Sequence, residues 1–278
     1  MFTRRQFGGG AGSIIAVYLA FGGQGLANAS DWTGLLARDL TDLEAEINGR
    51  LGVAVLDTKT GMRAGHRADE RFAMCSTFKM LAAAAVLKRA DDGKDDLGRR
   101  VHFSTGDLVT YSPVTQQYAD GEGMTMGELC AAAMTLSDNT AGNLLLSSIG
   151  GPPGLTEFAR SLGDNVSRLD RREPDLNEAA PGDPRDTTSP GAMLGNLDAL
   201  IVRQTLSARG REHLIGWLTG NKTGAGGNGT TNDIAVIWPS RPEPILVTAY
   251  LTQTSAPEEK RYAAIASVGR IIARRLGT

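Results

Sequence analysis

Cys75-Ser76-Thr77-Phe78-Lys79-Met80-Leu81-Ala82-Ala83-Ala84-Ala85-Val86-Leu87 is the stretch around which the chain is organised. Positions 76 and 79 are three apart, so on a helix the hydroxyl and the amine share one face. Ser76 stands at the expected helix N-terminus, where free N–H groups and the positive dipole end favour a developing oxyanion. A serine hydroxyl is a weak nucleophile until a neighbouring base takes its proton. A lysine amine serves as that base only when burial or nearby cations lower its pKa. The run from Met80 to Leu87 is apolar on every side. Such a helix is buried, so Lys79 enters the core with it and must be paired there. An N-cap serine followed by a snorkelling lysine gives the same spacing, and taken alone that plainer reading wins.

The N-terminus is set apart from the fold. Thr3-Arg4-Arg5-Gln6-Phe7 precedes an apolar, glycine-broken run from Ala11 to Phe21 and then Ala27-Asn28-Ala29. This is a basic segment, an apolar segment too short to span a bilayer, and a small-residue cleavage site. Paired arginines before a phenylalanine resemble a twin-arginine signal, which predicts export to the periplasm or beyond and a mature chain starting at Ser30. Losing Arg4 and Arg5 takes the formal charge from −2 to −4. A mildly acidic chain without a basic block gives no support for nucleic-acid binding. Cys75 and Cys130 are the only cysteines. They could pair in principle, but a fold stapled by disulfides carries more, so two buried free thiols are expected. His66, His102 and His213 are scattered without metal-ligand spacing, so no metal is implied.

Outward from the central helix, the patterns give an order of elements. Leu35, Leu36, Leu40, Leu43 and Ile47 predict an amphipathic first helix that Asn48-Gly49 ends. Leu51–Asp57 and Arg63–Arg67 read as a hairpin. From Phe103 to Ser161 the patterns are loops and helices with no clear strand. The proline- and charge-rich stretch 170–190 is long for a structureless connection, and such segments tend to be functional. Asp233–Trp238 and Ile245–Leu251 read as strands, and Pro257–Leu276 as a closing helix. The expected fold is α/β plus all-α: an antiparallel sheet flanked by helices, with a helical domain inserted. Residues 30–68 and 207–278 would form the α/β part, and 69–206, including the polar loop, the helical part.

Three further segments change the reading of Ser76. Ser137-Asp138-Asn139 ends a predicted helix, Arg171-Arg172-Glu173-Pro174-Asp175-Leu176-Asn177 opens the polar loop, and Lys222-Thr223-Gly224 precedes the last strands. In this order the four segments resemble the serine penicillin-recognising enzymes, specifically class A β-lactamases, for which the motif set is established. Arg67–Phe72, Thr110–Thr115, Pro181–Thr188 and Asn232–Trp238 are similar to the same family, so the resemblance covers the mature chain.

The resemblance implies roles. Ser76 would attack the lactam carbonyl, with the N–H groups of Ser76 and Ala225 as oxyanion hole. Lys79, or Glu173 through a water, would be the acylation base. Ser137, assisted by Lys222, would pass a proton to the departing nitrogen. Glu173 and Asn177 would position the water that releases the acyl group. Asn139 would hold the substrate side-chain amide, Thr223 and Gly224 would bind substrate beside Lys222, and Tyr111 would flank the mouth. Arg171 and Asp186 would pin the two ends of the polar loop, and a cis bond is expected at Glu173-Pro174. The substrate would be a β-lactam. A monomer is expected, with no cofactor and, after signal removal, no membrane partner.

The chain departs from the family in one place. Family members carry roughly twenty more residues before the Lys-Thr-Gly strand, whereas here Trp217-Leu218-Thr219-Gly220-Asn221 runs directly into Lys222. The loss removes one possible source of the arginine that binds the substrate carboxylate, and Arg261 is the candidate substitute. Lower turnover is therefore expected, with a D,D-peptidase or a β-lactam-binding protein that acylates and stalls as alternatives. The strand into Lys222 needs residues, so we expect the preceding helix to stop near Ile215-Gly216 and Trp217–Asn221 to be extended. Leu214, Trp217 and Leu218 also make a good helical stripe, and that pattern slightly favours a helix continuing through Leu218.

Overall fold

Leu36, Leu40 and Leu43 recur at helical spacing and are buried, so α1 (Asp31–Ile47) lays one apolar face on the sheet. Asn48, in the left-handed region at φ 46°, turns the chain into β1 (Arg50–Asp57), which returns as β2 (Arg63–His66). The computed structural model describes residues 31–219 and 222–276, so the expected leader over residues 1–29 lies outside the described residues.

Beyond the hairpin come β3 (Phe72–Ala73), a 3-10 turn over Cys75–Thr77, and α2 (Phe78–Asp91). The middle of the chain holds β4 (Arg100–Val101), β5 (Met124–Thr125), α3 (Met126–Thr135), α4 (Asn139–Ser148), α5 (Gly151–Ser161), β6 (Thr187–Thr188) and α6 (Pro190–Ile201). Then follow α7 (Ala208–Leu218), β7 (Lys222–Ala225), β8 (Thr231–Ile237), β9 (Ile245–Thr252) and α8 (Glu258–Leu276). Two short pairings, β3 with β6 and β4 with β5, were not expected from the sequence, and β5 falls within the stretch Phe103–Ser161 read there as loops and helices. A run of two residues is too short to show alternation.

The main sheet is antiparallel, in the order β2-β1-β9-β8-β7. β1 and β9 are buried along almost their whole length because both faces are covered. One face packs Leu51, Val53, Val55, Val247 and Leu251 against Leu36 and Leu40 of α1 and Ile265, Val268 and Ile272 of α8. The other joins Leu56, Ile234, Leu246 and Tyr250 to the larger core around α2. Within α2 every residue from Phe78 to Leu87 is buried, as an all-round apolar helix requires. α6 packs on β1 and β9, while α7 packs on α2 and α3. Among the described residues, no helix is long and apolar enough to cross a membrane.

The expected break at Ile215-Gly216 does not occur. α7 continues through Trp217 and Leu218, and its carbonyls at Gly216 and Ile215 accept from the N–H and hydroxyl of Thr219. Leu214 and Leu218, one turn apart, are both buried, and Trp217 stacks on His213 at 5.6 Å between ring centroids. An extended chain would send successive side chains to opposite faces and lose that stripe. β7 pairs from Lys222 opposite Ile234 to Ala225 opposite Thr231, and the rest of the expected extended entry, Gly220 and Asn221, lies outside the described residues.

Candidate active site

The 3-10 turn Cys75–Thr77 places Ser76 one step ahead of α2, with Lys79 in the first turn of that helix. Cys75 sits at φ 44°, a left-handed conformation that a non-glycine residue holds only where its surroundings over-determine it. Those surroundings are identifiable. Thr77 Oγ1 donates to the Met74 carbonyl at 2.7 Å, and the Asn232 amide on β8 donates to the Ala73 and Met74 carbonyls at 2.8 and 3.1 Å. Gly224 lies so close that a Cβ there would stand 3.1 Å from Ser76 N and 3.2 Å from Thr77 N. Glycine is what lets β7 approach the nucleophile turn.

Lys79 Nζ is fully buried and ringed by acceptors. It lies 3.0 Å from Ser76 Oγ, 2.6 Å from Asn139 Oδ1, 2.9 Å from the Ser137 carbonyl and 2.9 Å from Glu173 Oε1. Three N–H donors cannot satisfy all of these at once, so the amine is a switching point among them. Ser76 Oγ is also 3.4 Å from Glu173 Oε1. On the far side, Lys222 Nζ donates to Ser137 Oγ at 2.9 Å, and the same hydroxyl is 3.4 Å from Lys79 Nζ. Two buried lysines thus face one hydroxyl. Burial pushes the Lys79 amine down from the usual lysine range, with the Glu173 carboxylate opposing. Burial, and then the nearby Lys79 charge, pushes Lys222 well down.

The polar loop reaches the same pocket. Asn177 Nδ2 donates to Glu173 Oε2 at 2.5 Å, and the Glu173-Pro174 bond is cis. Arg171 Nε donates to Asp186 Oδ2 at 2.6 Å, while Asp186 Oδ1 accepts from the N–H groups of Asp170 and Arg171 at 2.7 and 2.9 Å. One carboxylate therefore joins the two ends of the loop. Tyr111, at φ 63°, is 61% exposed, and its carbonyl accepts from the Asn139 N–H. Asn139 uses both ends of its side chain, Oδ1 on Lys79 and Nδ2 on the Thr110 carbonyl at 2.8 Å. Thr223 and Ala225 lie on the edge strand, exposed on alternate positions to Lys222 and Gly224. Cys75 and Cys130 are buried free thiols, and burial pushes both upward, which keeps them protonated.

Two residues with structural consequences for the site went unassigned in the sequence. Asn143 Oδ1 accepts from Glu173 N and its Nδ2 donates to the Glu173 carbonyl, both at 3.0 Å. Its position four after Asn139 on a helix was the available signal. Asp138 is fully buried and accepts from Ala141 N as the cap of α4, and from Val114 N, Thr115 N and Thr115 Oγ1. That one carboxylate fixes the Ser137 turn to the Tyr111 segment.

The model of the beta-lactamase enzyme family matches residues 35–276. Beta-lactamase CTX-M-8 of Citrobacter amalonaticus is 46% identical over 252 residues, covering 84% of this chain and 86% of that one. Beta-lactamase L2 of Stenotrophomonas maltophilia is 42% identical over an alignment covering all of both chains. Among solved structures, a putative class A β-lactamase, PenP, from Rhodopseudomonas palustris superposes at TM-score 0.85 with 52% identity, covering 86% of this chain and 99% of that one. With a family model matching most of the chain, relatives at 42% and 46% identity and a common fold, the chain belongs to the class A serine β-lactamases.

Proposed function

We propose that the chain opens β-lactam rings through an acyl-enzyme on Ser76, conferring resistance to the antibiotic. The observation that carries this is Ser76 Oγ within 3.0 Å of one buried amine and 3.4 Å of one buried carboxylate, with Ser137 bridging to a second amine. In acylation, Ser76 Oγ bonds to the lactam carbonyl carbon. Its proton passes to Lys79 or to Glu173, and the oxyanion rests on the N–H groups of Ser76 and Ala225. One such donor is worth about 10²–10³ in rate. The ring C–N bond then breaks, and Ser137 gives its proton to the nitrogen and regains one from the Lys79 or Lys222 amine beside it. In deacylation, Glu173 takes a proton from water, and the hydroxide attacks the ester carbonyl. The bond from the carbonyl carbon to Ser76 Oγ breaks, and the proton returns to Ser76 Oγ from Glu173 or through Lys79. Asn177 supports this step: its Oδ1 is buried without a partner among the described residues and suits a water O–H.

The substrate carboxylate would meet Lys222 and Thr223, with Arg261 as the neighbouring cation. Arg261 Nε donates to Thr231 Oγ1 at 3.1 Å, and Thr231 is the residue opposite Ala225. This supports Arg261 as the replacement for an arginine from the shortened region. Asn139 and Tyr111 would contact the substrate side chain. Arg171 and Asp186 would hold the loop. We further read residues 1–29 as a twin-arginine-type leader for export, the mature chain as a monomer, and 30–68 with 207–278 as the unit that carries the inserted helical part 69–206.

The test is incubation with a chromogenic cephalosporin, followed by intact mass. Turnover is expected, slower than in relatives with the longer segment before Lys222. A stable adduct without turnover would instead assign a protein that acylates and stalls, and no reaction at all would overturn the reading.

A further inference from the structure

A second cavity, of about 120 Å³, lies between the polar loop and the edge of the sheet, away from the Ser76 cluster in its lining. Four guanidinium groups line it. Arg50 opens β1 and Arg71 precedes β3, while Arg171 and Arg185 belong to the loop. Asp183 is the carboxylate among the lining residues. Two cations on the sheet side thus face two on the loop side.

Their partners are unequal. Arg50 pairs with Glu70 at 2.6 Å and lies 4.0 Å over the Phe72 ring. Arg171 is held by Asp186 and Glu178, and Arg185 by Asp183 at 2.6 Å with Glu178 at 3.7 Å. Arg71 donates instead to neutral oxygens, the Val166 carbonyl at 2.9 Å and Thr187 Oγ1 at 3.0 Å. No carboxylate of the described residues forms an ion pair with it, so its charge is the one in surplus at this wall. Asp183 holds the Arg185 guanidinium charged, and the Arg171 charge works against it.

We propose that this cavity binds a phosphate-class oxyanion, bridging Arg50 and Arg71 of the sheet side to Arg171 and Arg185 of the polar loop. Planar guanidinium forks match the oxygens of phosphate in pairs, which a scatter of lysines does not. An anion held by the unpaired Arg71 charge and by the loop guanidinium forks ties the two sides of the cavity together as a clamp. The clamped element is the loop that carries Glu173 and Asn177, so occupancy ties that loop more firmly to the sheet.

The test uses the mature protein and inorganic phosphate, with ionic strength held constant by sodium chloride so that general screening is cancelled. Thermal melts and calorimetric titration are expected to show saturable binding and a rising Tm. Arg71→Gln and, separately, Arg185→Gln should each weaken that binding by about tenfold, the loss of one charge-assisted fork. Arg185 is an exposed loop residue, so its variant keeps the test valid if Arg71→Gln folds poorly. Sedimentation with phosphatidylglycerol vesicles but not phosphatidylcholine ones, lost in the same variants, would assign the oxyanion to a lipid headgroup and not to free phosphate. Equal phosphate response in wild type and both variants would overturn the proposal, because the anion would then bind elsewhere. So would the absence of any response in both arms. Neither readout depends on β-lactam hydrolysis.

Discussion

Asn143 grips Glu173 by both of its backbone groups, accepting from its N–H and donating to its carbonyl at 3.0 Å each. The contact spans two elements, a helix and the polar loop, and makes α4 the ruler for the Glu173 side chain. Its neighbour one turn earlier, Asn139, touches Lys79. One helix face therefore indexes both candidate bases against Ser76.

Replacing Asn143 with alanine should leave two buried backbone groups of Glu173 unpaired or rehydrated. A stability loss of about 1–3 kcal/mol is expected, together with a deacylation rate that falls more than the acylation rate. Urea melts and pre-steady-state kinetics check this. Equal slowing of both steps would show that Asn143 does not aim Glu173.

Ser76→Ala should abolish covalent labelling by a β-lactam as well as turnover, because the other hydroxyl beside Lys79, Ser137 Oγ at 3.4 Å, accepts from Lys222 and lies outside the Cys75–Thr77 turn. Glu173→Ala should still label and should retain the adduct. Intact mass after mixing reads both outcomes at once, and normal steady-state turnover by the Glu173 variant would remove this carboxylate from the mechanism.

Acid stability should depend on Glu44. Burial alone would raise this carboxyl, but hydrogen bonds from Arg67, the Leu51 N–H and His66 outweigh it and hold it at about 2. A carboxyl lowered on folding stabilises the protein above its unfolded pKa, and that contribution is lost as pH falls through the folded one. The window runs from the ordinary value of 4.5 down to about 2. The contribution is on the order of 1–2 kcal/mol for this half-buried group, after allowing for solvent screening. Urea midpoints should drop between pH 6 and pH 3 in the wild type and should drop less in Glu44→Gln.

Leu218→Ala should cost about 2–5 kcal/mol, the usual range for a buried leucine. Leu218 is 4% exposed and belongs to the core shared with α2. Thr219→Ala should cost far less, since its hydroxyl makes one exposed contact with the Ile215 carbonyl. A Leu218 variant as stable as wild type would mean that the end of α7 does not hold the short join in place.

Much of the fold was legible because local rules and burial agreed. The stripe of α1, the all-apolar α2, the strands at Asp233 and Ile245 and the closing helix each carry their own period, and period follows from backbone geometry alone. The motif triplets were legible as chemistry, since hydroxyls, amines and amides can be read as residue types. The sequence also carried both readings of Trp217-Leu218, and there the pattern was right where the argument from strand length was not. Tertiary structure decided the rest. Which acceptor Lys79 faces, how Asn143 meets Glu173, and how Asp138 joins Ser137 to Tyr111 all depend on segments far apart in the chain. So does the meeting of Arg50 and Arg71 with Arg171 and Arg185 around one cavity. Distances of 3 Å between such segments are set by packing, which has no period along a sequence. The left-handed turn at Cys75 is the clearest case: local preference opposes it, and contacts from β7 and β8 hold it.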